Sequence, residues 1–231
     1  MYKIHDDHYT GQVTVPLLWD SSSRTIVSNE SSDIVKGFDA LRTSTEFQYS
    51  LRPPQLADQI DSANAMIYGG LNNAVYKAGF AQSQPAYDNA VKIVFNTLDE
   101  LNERLKNQRY YFGRVLTETD IRLFPTLIRF DSVYYILFKC SKRRLVDYPA
   151  LFNYTRDIFQ TKGVADTVHF ETIRTASYLA DSGVDHPIVA VQPDIDWNAG
   201  HHRSDFGATQ LYGNEGYWVD VDPTTMRTVS P

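Results

Sequence analysis

Leu116-Thr117-Glu118-Thr119-Asp120-Ile121 is the clearest local signal in the chain. Thr117 is an N-cap residue whose hydroxyl can accept from the backbone N–H of Asp120, while the Asp120 carboxylate reaches back to the N–H of Thr117. Leu116 before the cap and Ile121 after it are spaced to close a hydrophobic staple. The helix they open carries Ile121, Phe124, Leu127 and Ile128, apolar enough for the centre of a bundle. Pro125 lies inside it and should kink it.

Helical spacing extends outward on both sides. Leu56, Ile60, Ala63 and Ile67 mark one helix, which Gly69-Gly70 interrupts or ends before Val75-Tyr76. Pro85 suits a first helical position, and Val91, Val94, Leu98, Leu101 and Leu105 follow at core-facing intervals. Downstream, one helix is expected from about Pro149 to Gln160, with Gly163 near its C-cap, and another from about Val164 to Arg174. Past Asp181 the chain is rich in Asp, Gly, His and Pro and reads as an irregular tail.

The first forty residues differ. Val13-Thr14-Val15-Pro16-Leu17-Leu18-Trp19 reads as a buried strand, in which Pro16 demands an edge, a bulge or a cis bond. Asp20-Ser21-Ser22-Ser23-Arg24 is turn chemistry, and Thr25-Ile26-Val27 is a second strand. Ser28-Asn29-Glu30-Ser31 offers caps for a helix running to about Ala40, and a polar linker from Leu41 to Pro54 follows. The fold class is therefore mainly α, with a strand–turn–strand–helix unit over 1–41, a helical domain over 53–180 and a tail over 181–231.

A length of 231 residues allows one or two domains with a substantial core. Apolar residues at 42% and charged residues at 22% are ordinary for a globular chain. A net charge of −6 argues against nucleic-acid and anionic-membrane partners, which need a positive field. The longest apolar run, Val133 to Phe138, is far too short to span a bilayer, and the N-terminus has no signal-peptide pattern. Cys140, the one cysteine, excludes an internal disulfide and any multi-cysteine site. These features point to a soluble cytoplasmic protein.

No Walker loop, GxGxxG, GxSxG or HExxH is present. His5-Asp6-Asp7-His8 has metal-donor types but lies at a terminus without a further fixed ligand, so no metal is expected; His201-His202 reads as solvated tail. Lys139, Lys142, Arg143 and Arg144 are expected to complement a helix C-terminus. Two features carry more. A cis Val15-Pro16 bond would turn the Val15 backbone toward a peptide-like ligand, near a helix start where Ser31 offers a hydroxyl and Glu30 can meet an amino group. A hairpin with an edge proline accounts for that strand equally well. In Asn72-Asn73-Ala74-Val75-Tyr76-Lys77-Ala78-Gly79-Phe80, Tyr76 can present a ring face and hydroxyl to a flat aromatic ligand, although a tyrosine at a helix junction is commonly only packed.

With these residues in view, the chain resembles the glutathione transferase superfamily, and more narrowly its Xi class, the glutathionyl-hydroquinone reductases. The carrying segments run from Tyr9 to Asp20, Thr25 to Ser31, Val75 to Ala81 and Leu116 to Leu123, with Arg129-Phe130-Asp131 and Phe138-Lys139-Cys140. The resemblance implies a thioredoxin-like unit, here a hairpin and helix, before an all-helical domain. It implies glutathione as co-substrate, held by the Val15 backbone, Glu30 and Ser31, and an aromatic quinol conjugate whose ring meets Tyr76. It also implies a homodimer and a thiolate that attacks the glutathionyl sulfur. The class carries that thiolate in a Cys-Pro-Trp motif, which is absent here; Cys140 matches a cysteine of the helical domain, where Ser141-Lys142-Arg143 could lower its pKa but a structural role is the expected reading. No catalytic residue is therefore assigned, and the chain as written is expected to show little or no turnover. The alternative is a non-catalytic binding or scaffolding protein. A pocket tyrosine of the class falls at Ser177-Tyr178, in a register ambiguous by one residue.

Overall fold

The structure, a computed structural model, describes residues 1–41, 49–180 and 188–229. Half of the linker (42–48) and the point where the tail was expected to begin therefore lie outside the described residues. The short helix α1 (Tyr2–His5) precedes an antiparallel hairpin of β1 (Leu18–Asp20) and β2 (Thr25–Ser28), and α2 (Ser31–Leu41) follows. A register shift between Leu18 and Trp19 bends the hairpin. Val15-Pro16 is cis, but the strand expected over Val13–Trp19 shrinks to three residues. Val13 and Val15 are 71% and 88% exposed instead of buried, because the hairpin is a two-stranded sheet among the described residues and nothing covers that edge. Helix α2 starts at Ser31, at the end of the capping stretch expected over Ser28–Ser31. Glu30 is its cap, with a side chain that accepts from the Ser32 N–H at 3.3 Å.

The helical domain follows the apolar spacing closely. Ile60, Ala63 and Ile67 of α3 (Ala57–Ile67) are buried, and Gly69-Gly70 falls in a π-type turn over Tyr68–Asn72. Thr97 explains the second glycine, because a Cβ on Gly70 would lie 2.4 Å from its Oγ1. Two helices, α4 (Ala74–Gly79) and α5 (Gln84–Leu105), come next, the longer opened by Ser83 with Pro85 in its first turn. The bundle centre is α6 (Glu118–Arg129), with Leu123, Leu127 and Ile128 buried, and it continues past Pro125. Then come α7 (Pro149–Phe159) and α8 (Phe170–Ala180). The helix expected from Val164 instead begins as a 3-10 turn over Ala165–Thr167, and α8 starts at Phe170. Two members of the basic run are engaged otherwise than at a helix C-terminus: Arg143 pairs with Asp99 and lies over the Tyr148 ring, and Arg144 caps the 3-10 turn Leu145–Asp147 and pairs with Asp147.

The start of α6 shows why its sequence reads so clearly. Asp120 is wholly buried, and its carboxylate accepts from the Thr117 N–H at 2.9 Å, the Thr117 hydroxyl at 2.9 Å, the Tyr111 N–H at 2.9 Å and the Tyr154 hydroxyl at 2.8 Å. The expected capping box is present, and it also fastens α7 and the loop before α6.

The C-terminal residues correct the expectation of an irregular tail. β3 (Tyr49–Ser50), β4 (Thr209–Gly213), β5 (Trp218–Asp222) and β6 (Arg227–Thr228) form a four-stranded antiparallel sheet in that order. Asn214-Glu215-Gly216-Tyr217 makes the β4–β5 turn, with Gly216 at φ +88° where a side chain would be strained. Thr209, Leu211 and Gly213 alternate inward, an alternation that threonine and glycine hide from an apolar reading. Polar anchors fasten the segment to the bundle. Arg109 and Asp157 make a buried two-pronged pair at 2.8 Å, and Arg203 donates to the carbonyls of Leu105, Gln108 and Arg109. Trp197 stacks against Phe170 at 6.1 Å with Phe152 and Phe159 beside it.

Candidate functional site

Val15, Glu30 and Ser31 come together through backbone neighbours. The Tyr2 hydroxyl donates to the Thr14 carbonyl at 3.0 Å and lies 3.1 Å from its hydroxyl. Asn29 Nδ2 donates to both Tyr2 Oη at 3.3 Å and Thr14 Oγ1 at 3.4 Å. The residue before Val15 and the residue before Glu30 are thus held by one small network, and the exposed Val15 backbone lies beside the start of α2. There the Ser31 hydroxyl can face a carboxylate, while the Glu30 carboxylate, which also caps the Ser32 N–H, can face a cation.

Tyr76 belongs to a separate, aromatic group. Its hydroxyl lies 3.2 Å from that of Tyr134, and its ring meets Tyr134 at 5.7 Å and Phe138 at 5.2 Å, both edge-on. Phe80, four residues later at the C-cap of α4, meets Phe138 at 5.3 Å. Tyr134 and Phe138 are buried, whereas Tyr76 and Phe80 remain 37% and 48% exposed. The result is an apolar surface of two open rings backed by two closed ones, suited to a flat aromatic ligand. Gly79 permits it: a Cβ there would sit 2.4 Å from Phe138 Cγ, so a larger residue would push α4 away. Tyr178 is the buried member of the Ser177-Tyr178 pair, and its hydroxyl donates to the Ser132 carbonyl at 3.3 Å, behind the same segment.

Sequence reasoning singled out Tyr76 but not Tyr134, whose aromatic neighbours could have flagged it. It also passed over Arg122, which sits between the two groups and donates to the Ser32 carbonyl at 3.3 Å.

Cys140 offers no nucleophile. It is fully buried, and burial pushes its thiol up to about 12, so the thiolate is scarce at neutral pH. Among the described residues no three His, Cys, Asp or Glu side chains converge as metal ligands, and no helix is long and apolar enough to cross a membrane.

Residues 84–157 match the family model for the glutathione S-transferase C-terminal domain. The chain is 46% identical over 208 residues to the glutathionyl-hydroquinone reductase YqjG of Escherichia coli K12, covering 88% of this chain and 62% of that protein. It thus spans less than two thirds of that relative's length. The glutathione-bound structure of YqjG, described as a glutathione transferase homolog, superposes with a TM-score of 0.82 at 44% identity, over 88% of this chain and 67% of that one. A Xi class transferase from Natrialba magadii gives 0.82 at 40% identity, over 88% and 64%. At this identity, coverage and structural agreement, the chain belongs to the glutathione transferase superfamily, in the branch of the Xi class and the glutathionyl-hydroquinone reductases.

Proposed function

We propose that this chain carries the substrate-binding part of a glutathione-dependent reductase of glutathionyl-hydroquinones. The observation that supports this best is the open aromatic surface of Tyr76 and Phe80, a ring-binding platform in a branch whose named members act on such conjugates. In this reading the Val15 backbone pairs with the peptide part of glutathione. Glu30 and Ser31 hold its γ-glutamyl end, and Tyr76 meets the quinol ring. Residues 1–41 act as a partial thioredoxin-like unit, 53–180 as the helical domain and 181–231 as an appended segment. The working form is a homodimer in the cytoplasm, where glutathione is kept reduced.

The chemistry needs a thiolate. It attacks the glutathionyl sulfur, the bond from that sulfur to the ring carbon breaks, and the ring carbon takes a proton to give the hydroquinone. The protein sulfur is left in a mixed disulfide with glutathione. A second glutathione thiolate then releases oxidised glutathione and restores the first thiolate. The ring carbon is reduced by two electrons, and the thioether sulfur of the conjugate and the thiol of the second glutathione are oxidised to one disulfide. Cys140 cannot begin this sequence from its buried position, so residues 1–231 by themselves bind the conjugate and turn over little of it.

Titrating the chain with the glutathione conjugate of menadiol tests this. Binding that Tyr76→Ala weakens by about tenfold or more, without turnover, is expected, because an aromatic contact and its buried area together contribute roughly 1.5 kcal/mol or more. Absence of binding overturns the reading. Robust turnover lost in Cys140→Ser overturns the second half of it and makes Cys140 the nucleophile.

A further inference from the structure

We propose that Arg122 is a positioning residue that fixes the start of α2 against the aromatic surface of α4, so that a ligand spanning both is held as one unit. The proposal rests on the functional reading above and deepens it.

Three elements meet on this one residue. Its Nη2 donates to the Ser32 carbonyl at 3.3 Å, immediately after Glu30 and Ser31. Its Nε lies 2.6 Å from Glu118 Oε1. Its own backbone carbonyl accepts from Asn72 Nδ2 at 2.8 Å. Asn72 closes the π-type turn before α4, and Tyr76 lies one helical turn further on.

The anchor behind it is a buried charge. Glu118 is 1% exposed, and a buried carboxylate needs partners to remain charged. It has Arg122, Arg52 with Nη1 at 3.5 Å, and Asn64 with Nδ2 at 3.0 Å. Arg52 extends the group to Asp61 at 2.6 Å. Glu118 holds the Arg122 guanidinium by charge, in an ion pair where Nε makes no aligned hydrogen bond, and the planar fork leaves Nη2 to donate to the Ser32 carbonyl. A lysine can satisfy Glu118 but has no second fixed donor for the Ser32 carbonyl.

The consequence concerns linked ligands. When two subsites are held at a set separation, a ligand filling both gains from effective concentration beyond its two separate affinities. Loosening the hold should remove that gain and spare each fragment.

The test compares the whole chain with Arg122→Ala and Arg122→Lys, titrating glutathione, menadione and the menadiol–glutathione conjugate, with thermal unfolding measured alongside. Arg122→Ala is expected to weaken the conjugate about tenfold or more and each fragment less than about threefold. Arg122→Lys is expected to restore the unfolding temperature but not the conjugate affinity. A parallel loss for all three ligands, an unchanged conjugate affinity, or full rescue by lysine overturns the proposal alone. A wild-type chain that binds neither fragments nor conjugate overturns the functional reading, and this proposal with it.

Discussion

The Thr117 hydroxyl can be weighed separately from the rest of its side chain. Thr117 is fully buried, and its Oγ1 donates to Asp120 Oδ2 at 2.9 Å. Thr117→Val keeps the shape and removes the hydroxyl with both its roles, the donation to Asp120 Oδ2 and the acceptance from the Asp120 N–H, leaving a buried carboxylate oxygen one donor short; hydrogen bonds to charged groups contribute about 1.5–3 kcal/mol. Thr117→Ser keeps the hydroxyl and removes one buried methyl, for about 1 kcal/mol. Thr117→Ala removes both and should cost about 2–4 kcal/mol, beyond what an exposed cap gives up. The three variants therefore order as Ser, then Val, then Ala in increasing damage. Urea unfolding followed by tryptophan fluorescence measures this, read as a midpoint shift at constant slope. Adding Tyr154→Phe should give a non-additive cycle, because its hydroxyl donates to the same carboxylate at 2.8 Å. A Thr117→Val protein within about 0.5 kcal/mol of wild type, with an unchanged slope, would refute the reasoning.

Cys140 should react with a thiol reagent at pH 7.5 far more slowly in the native chain than in the urea-unfolded one, given its burial and raised pKa; immediate stoichiometric labelling of the native chain would contradict this. Asp157→Asn leaves Arg109 buried with half its pair and should cost about 3–5 kcal/mol, with hydrogen exchange accelerating first in Thr209–Asp222. Burial holds His201 below the ordinary histidine value, so the unfolded chain binds a proton more readily. Stability should be lost as pH falls from about 6.5 toward the folded value, and His201→Asn should flatten that slope; an unaltered slope assigns the effect elsewhere.

The helical domain was legible because its signals are local. Residues of α5 and α6 a few positions apart share a face, and the Thr117–Asp120 box is written in adjacent letters. The cis Val15-Pro16 bond was legible for a similar reason, since a proline within an apolar run leaves few options. The sheet was not legible: β3 and β6 are two residues each, and β3 finds its partner only after the whole helical domain has intervened. Exposure of Val15 was missed because a β-branched run looks the same with or without a neighbouring strand. At the candidate site, Tyr76 announced itself, but Tyr134 lies 58 residues away and Arg122 reads as a solvated position on a helix until Ser32 is seen beside it.

The pairing of β3 with β4 also bears on how the chain is made. Tyr49 lies opposite Gly213, and nearby Gln55 donates to the Tyr212 hydroxyl across 157 residues of sequence. The strand that precedes the bundle emerges from the ribosome long before its partner exists. At roughly 5–20 residues per second, that interval lasts some ten to thirty seconds. Over that time the Leu51 carbonyl can meet the Glu118 N–H and the helices can gather, but the seam beside them stays open. Contacts of such long separation are slow to close, and an unpaired edge is available to other chains while they do. A nascent chain halted before Thr209 should therefore be the aggregation-prone species, and release of the last strands the step that ends the hazard.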